Sequence, residues 1–257
     1  MIPTLLGSPE SRRWLRRSIP RARARLVPCR NAAHLRRAVT ASLADAVVVD
    51  GRLPGGREVL ARFSVDFPGV PRFVYSAFRP DDGALLAACT GDAAAQVIVE
   101  GVEDPVVGEL VLPRTASALR LFVLANAPRL LRLTEPLQVR AWGEVMRRVG
   151  GRLRATDIAR TLRVSREHLS RQFGAGGAPN LKRVIDLART LTAADLLANP
   201  GYSVRAVARI LGFASASHLS AAARRVAGVS ARELRVLGPT GVLAEFLSGR
   251  TRSRGRM

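Results

Sequence analysis

The sequence predicts two domains of different class. One is an α/β domain on a parallel sheet over residues 1–112; the other is an all-α domain carrying two helix-turn-helix units over residues 134–237. Three observations predict this. Five short apolar runs alternate with helical stretches in the first hundred residues, strands are no longer obvious after about residue 103, and one segment repeats about fifty residues further along.

Taken in order, Ile2–Leu6 is a short apolar run closed by Gly7-Ser8-Pro9, and Glu10–Ser18 has a helical pattern. Ala24–Cys29 is a second run, and Asn31 is placed to cap a helix through Leu43. Ala46–Val49 reads as a buried strand ending at Asp50, Gly55–Phe67 as a helix, Arg72–Ser76 as a strand, Pro80–Ala88 as a helix and Gln96–Glu100 as a strand. Strands separated by helices favour parallel pairing with both faces covered.

Between the domains, residues 113–133 form an expected helical connector. Its apolar stretch Thr115–Ala127, bracketed by Pro113 and Pro128, is a linker or a dimerisation surface. From Glu135 to Leu237 the pattern is helical, with breaks at Gly150-Gly151, Gly174–Pro179, Asn199–Gly201, Gly212 and Gly228. Residues 238–257 read as a C-terminal helix and basic tail, the last nine residues as a solvated end.

The formal net charge is +21, which calls for an anionic partner or costs self-repulsion; nucleic acid is the commonest such partner and an anionic membrane the second. Of the 41 basic residues one is lysine, Lys182, a bias that also suits a GC-rich genome. Residues 1–133 hold 19 arginines and 12 acidic residues, a net +7; residues 134–257 reach +14, so the repeat lies in the more basic half. The two cysteines, Cys29 and Cys89, form no CxxC or Cys/His cluster, which excludes a zinc finger and fits a reducing, cytoplasmic setting. Neither a signal peptide nor an apolar run long enough to span a membrane is expected. There is no GxGxxG or P-loop, so no cofactor, metal or enzymatic site is expected.

The repeat pairs residues 157–171 with residues 206–220. Both copies read Ile/Val-Ala-Arg-x-Leu, a short turn, then His-Leu-Ser, and the second has one extra turn residue. Steeply crossing helices need a small residue at their contact, supplied by Ala159 and Ala208. Leu162 and Leu211 end the first helix of each unit towards the core. Gly212 suits a left-handed turn, and Arg163 holds that place less comfortably. Ser165 and Ser215 are the expected N-caps, and Leu169 and Leu219 pin the second helix.

With these motifs, residues 137–236 resemble the DNA-binding domain of bacterial AraC/XylS-type transcription regulators, in which a long helix joins two helix-turn-helix units. Residues Pro179–Ala198 match that helix, with Ile185, Leu187, Ala188, Leu191, Ala194 and Leu197 as its packing positions; Asn199–Val204 match the turn into the second unit, and Leu211–Ser220 the signature region. The sequence departs where Leu219 and Ala223 replace aromatic residues and Ala231 replaces proline. Basic residues are also missing at Ala221 and Ala222, which predicts a looser second core and places most affinity in the first unit.

The resemblance implies a sequence-specific regulator bound to double-stranded DNA. Its candidate contacts are Ser165, Arg166, Glu167, Ser170 and Arg171 on the first recognition helix, and Ser215, Ala216, Ser217 and His218 at the start of the second. Arg166 and Arg171 suit guanine edges or phosphates, Ser217 a base edge, Ala216 a thymine methyl, and Arg224 and Arg225 phosphates. His218 recurs as His168, which points to a shared structural or backbone-contact role, a lone histidine being more often a partly buried group than a reader. A non-specific nucleoid or RNA binder is the alternative, and an enzyme on the α/β domain a remoter one.

Residues 1–112 resemble a response-regulator receiver domain of flavodoxin-like pattern. Asp45–Gly55 match the strand and loop of its phosphoacceptor, placing Asp50 there, and Val74–Ala77 match a strand ending in a switch residue, Ser76. The acidic pair that holds Mg²⁺ is replaced by Gly7-Ser8-Pro9, and the lysine by Glu100, so phosphorylation of Asp50 is not expected. Dimerisation, partner binding and a small-molecule effector all remain open for this domain.

Overall fold

The computed structural model of the chain describes residues 1–77, 79–90, 94–173 and 177–249. The chain divides into two compact units at Leu119/Arg120, so the stretch 113–133 is shared between them.

The first unit alternates strand and helix: β1 (Ile2–Leu5), α1 (Pro9–Ser18), β2 (Leu26–Pro28), α2 (Ala32–Ala41), β3 (Val47–Val49), α3 (Gly56–Asp66), β4 (Arg72–Ser76), α4 (Gly83–Thr90), β5 (Ala95–Val99) and α5 (Val107–Val111). All strand pairs are parallel and the order is β2-β1-β3-β4-β5. This is the flavodoxin-like order, in which the chain reverses direction beside β1 and a crevice opens at the strand C-termini. The registers Thr4 to Val48 and Val48 to Phe73 align the strands so that Asp50 and Ser76 both follow at the C-terminal edge. Side chains of β1, β3 and β4 are buried throughout, as both-face coverage demands. On one face Leu15, Ile19, Val107 and Val111 pack on Ile2, Val48, Phe73, Tyr75 and Ile98. The Tyr75 hydroxyl donates to the Asp104 carboxylate inside this core, and burial, reinforced by that carboxylate, pushes the phenol far above its ordinary pKa. The helices start as expected: Ser8 Oγ accepts from the Glu10 N–H (3.0 Å) and Asn31 Oδ1 from the His34 N–H (2.8 Å).

Two stretches expected as single helices are divided. Pro80–Ala88 is not one helix: Pro80–Asp82 form a 3-10 turn, closed by the Arg79 N–H donating to Asp82, and α4 follows. Thr115–Ala127 is also divided, into α6 (Ala116–Val123) and, after a turn, α7 (Ala127–Leu130), because Pro128 starts a helix more readily than it continues one.

The second unit is helical: α8 (Pro136–Arg147), α9 (Ala155–Leu162), α10 (Arg166–Gln172), α11 (Leu181–Leu197), α12 (Val204–Ile210), α13 (Ala216–Ala227) and α14 (Leu234–Ser248). The central helix α11 begins two residues later than Pro179, because Asn180 Oδ1 accepts from the Arg183 N–H (2.9 Å) as its cap. All six packing positions expected on it are buried. α14 packs along α11 through Val242, Leu243 and Phe246, and bends at Gly238-Pro239, where no helical hydrogen bond can form. The expected basic tail, residues 250–257, lies outside the described residues.

Candidate nucleic-acid interface

Both repeats fold as two helices joined by the same hydrogen-bonded turn. After α9, Arg163 adopts a left-handed conformation (φ 57°); its N–H donates to Arg160 O (3.2 Å) and the Val164 N–H to Ala159 O (3.1 Å). After α12, Gly212 (φ 69°) donates to Arg209 O (3.1 Å) and Phe213 to Ala208 O (2.8 Å). Each pair of bonds is a Schellman turn, which satisfies the last carbonyls of the helix and reverses the chain. Ser165 and Ser215 then cap the recognition helices, their hydroxyls accepting from the His168 (3.0 Å) and His218 (3.1 Å) N–H groups. A Cβ-bearing residue in the left-handed region costs about 1–2 kcal/mol, so Arg163→Gly is expected to stabilise this unit by about 0.5–1 kcal/mol net of glycine's backbone entropy. Urea unfolding followed at Trp142 measures it.

The turn sets which side chains face out. Leu169 and Leu219 are fully buried, and Ala159 and Ala208 lie at the helix contacts, as expected. Ser165, Arg166, Glu167, Ser170 and Arg171 are all exposed on α10. Of the second set, Ser215, Ser217 and His218 are exposed and Ala216 is half-buried. His168 and His218 are both exposed, contrary to the partly buried role expected; what recurs structurally is their backbone N–H at the cap. Ala221 is exposed but Ala222 is 1% exposed, so a basic residue at 222 would point into the core and its lack removes no DNA contact. Leu219, Ala223 and Ala231 are core positions. Arg224 is exposed, whereas Arg225 is ion-paired with Asp186 of α11 (3.0 Å).

Two residues that sequence reasoning passed over tie the units together. The Gly151 N–H donates to Ile210 O (2.7 Å) at the end of α12. Arg189 of α11 reaches Gly151 O (3.4 Å) and Leu153 O (3.3 Å) with Nη2 while its guanidinium lies over the Phe213 ring (5.6 Å). Burial pulls its pKa below the usual arginine value. In the sequence Gly150-Gly151 reads only as a helix break. The one sequence signal for Arg189 was an arginine within the apolar pattern of the central helix.

Residues 158–236 match a family model described as a helix-turn-helix domain.

The match covers under a third of the chain and spans both units and the helix between them. It supports reading residues 158–236 as an AraC-type helix-turn-helix segment, of the kind found in DNA-binding transcription regulators. No curated protein and no solved structure matches the chain. Among the described residues no helix is long and apolar enough to cross a membrane.

At the C-terminal edge of the sheet, the structure brings Asp50 and Ser76 together: Asp50 Oδ1 accepts from Ser76 Oγ (3.2 Å) and from the Arg52 N–H (3.0 Å). The acidic pair with which a receiver holds a divalent cation is missing beside them: Gly7, Ser8 and Pro9 stand in its place. A Cβ at Gly7 would lie 2.9 Å from Leu53 Cδ2 and 3.3 Å from Asp50 Oδ2, so no second carboxylate can be seated there without moving Leu53. Glu100 accepts a hydrogen bond from Ser11 of α1, and no metal-ligating cluster occurs among the described residues. Asp50 serves as a turn-closing acceptor. Asp50→Asn is expected to leave DNA affinity within about twofold, with or without a small phosphodonor, because one neutral–charged hydrogen-bond exchange at a surface turn perturbs the fold by only about 1 kcal/mol. Duplex-binding titrations test this.

Proposed function

We propose that this protein is a sequence-specific transcription regulator that engages two neighbouring major-groove segments of duplex DNA, with α10 and α13 as recognition helices. One observation carries the reading: two units share the same Schellman turn and the same serine cap, and each presents an exposed polar helix face. Recognition helices held on one rigid frame suit half-elements about one helical turn apart, roughly 34 Å. Arg166 and Arg171 are the strongest candidates for base edges; Ser217 and Ala216 are the second unit's. Arg224 is a phosphate candidate, and Arg225 would have to exchange Asp186 for a phosphate.

The receiver-like domain modulates assembly rather than receiving a phosphoryl group. The parallel order β2-β1-β3-β4-β5 and the pairing of Asp50 with Ser76 support a receiver-like reading, and Gly7-Ser8-Pro9 in place of an acidic pair argues against its chemistry. The exposed Leu119, Phe122 and Val123, spaced as one face of α6, support homodimerisation through the connector.

Selection of genomic fragments by the purified protein at near-physiological salt tests the function. Recovery of one motif with two half-elements is expected. Retention without sequence enrichment would leave a non-specific nucleoid or nucleic-acid binder.

A further inference from the structure

The first unit contains a cavity of about 340 Å³ between α3, α4 and the β4–β5 part of the sheet. Leu60 of α3, Val74 of β4, and Leu85 and Cys89 of α4 make its apolar wall, and all four are buried. An apolar concavity of this size with a few polar groups is the usual form of a small-molecule site. The fold fixes its walls. Leu85 is seated on Gly51, where a Cβ would come within 2.6 Å of it. Val74 sits in the sheet, paired with Val49 on one side and Val97 on the other. Arg72, 2% exposed, is tied down at another wall, its Nη1 donating to Phe67 O (3.0 Å) and Val70 O (3.2 Å).

The mouth of the cavity is basic. Arg57, at the start of α3, lines it, is exposed and makes no ion pair among the described residues. No acidic side chain lines the cavity among the described residues. An apolar chamber behind an exposed guanidinium suits a molecule with an apolar body and one anionic end. Its carboxylate would pair with Arg57 and its body would cover Leu60, Val74 and Leu85. A small hydrophilic anion would leave that wall wet, and a neutral apolar molecule would make no use of the charge. An apolar cavity of about 150 Å³ holds benzene, roughly six heavy atoms, so this one takes about ten to fourteen by proportion.

We infer that this cavity receives a small monocarboxylate with an apolar body of medium length, which makes the α/β domain the ligand-receiving part of the chain. The inference goes beyond the DNA-binding reading and does not depend on it. The cavity also borders the C-terminal edge of the sheet: Val74 and Leu85 both pack at Gly51, which directly follows Asp50. An occupant pressed against these two side chains therefore reaches the Asp50 turn without any phosphoryl chemistry.

The test is calorimetric titration of the full-length protein with octanoate, octan-1-ol and acetate at constant ionic strength, repeated on Arg57→Gln and Ala95→Leu. Arg57→Gln removes the charge at the mouth; Ala95→Leu, at a half-buried wall position of β5, fills the space. Octanoate is expected to bind at one site per chain, about tenfold more tightly than either octan-1-ol or acetate. Arg57→Gln should weaken octanoate by about tenfold and leave octan-1-ol unchanged, as the loss of one charge-assisted hydrogen bond requires. Ala95→Leu should weaken both by about tenfold or more, because the filled space no longer admits the body. Both losses are required, and either one alone would overturn the inference. So would an absence of octanoate binding, or octanoate bound no more tightly than acetate, which would leave only general anion attraction by a chain of charge +21. Thermal unfolding separates a lost site from a lost fold, and Ala87→Leu, at an exposed wall position of α4, fills the same cavity if Ala95→Leu unfolds the domain.

Discussion

Gly212→Ala is expected to destabilise the C-terminal unit by about 3 kcal/mol, the sum of a left-handed backbone penalty and a backbone clash. Gly212 sits at φ 69°, where a side chain costs about 1–2 kcal/mol. A Cβ there would lie 2.4 Å from the carbonyl carbon and oxygen of Gly151 and 2.6 Å from the Arg152 nitrogen. These are backbone atoms and cannot rotate away. Relief requires the loop to withdraw, which breaks the 2.7 Å bond from Gly151 to Ile210, worth about 1 kcal/mol. The protein has two tryptophans, one in each unit, so Trp142 fluorescence in a Trp14→Phe background reports this unit alone. A loss below about 1 kcal/mol would mean that the loop does not rest on the turn. The variant should also weaken DNA binding, because the same turn leads into the Ser215 cap of α13.

Arg166→Ala is expected to weaken binding to the selected motif by roughly 10- to 100-fold while leaving stability unchanged, the range for losing one bidentate base contact. Arg166 opens α10, is exposed, and makes no ion pair among the described residues, so nothing in the fold depends on it. The loss should be concentrated at one base position, where preference relaxes. Competition among single-base variants of the motif reads this directly. A uniform loss on all sequences would move Arg166 into the phosphate-contacting class. Ser217→Ala should affect a different half-element and more weakly, because a single hydroxyl contact is worth less than a bidentate guanidinium.

The local code was largely legible in the sequence. Ser165 and Ser215 announce caps, Ala159 and Ala208 announce close helix contacts, and the five apolar runs announce a parallel sheet, because each depends only on near neighbours and periodicity. Where the sequence misled, the cause was position along a helix. Ala222 looked like a lost contact until its place around the helix axis put it in the core, and both recurring histidines turned out exposed.

The sequence by itself determined the two domain classes, the double helix-turn-helix repeat and the residues that cap and pack it, because these follow from short-range sterics and hydrophobic periodicity. Tertiary structure alone decided that Arg225 is engaged by Asp186, that Ser76 donates to Asp50, and that the Gly151 loop of the first unit lies against the turn of the second. Each of those depends on a contact between residues far apart in the chain, whose meeting is fixed by how whole helices pack, and no spacing in the sequence records it.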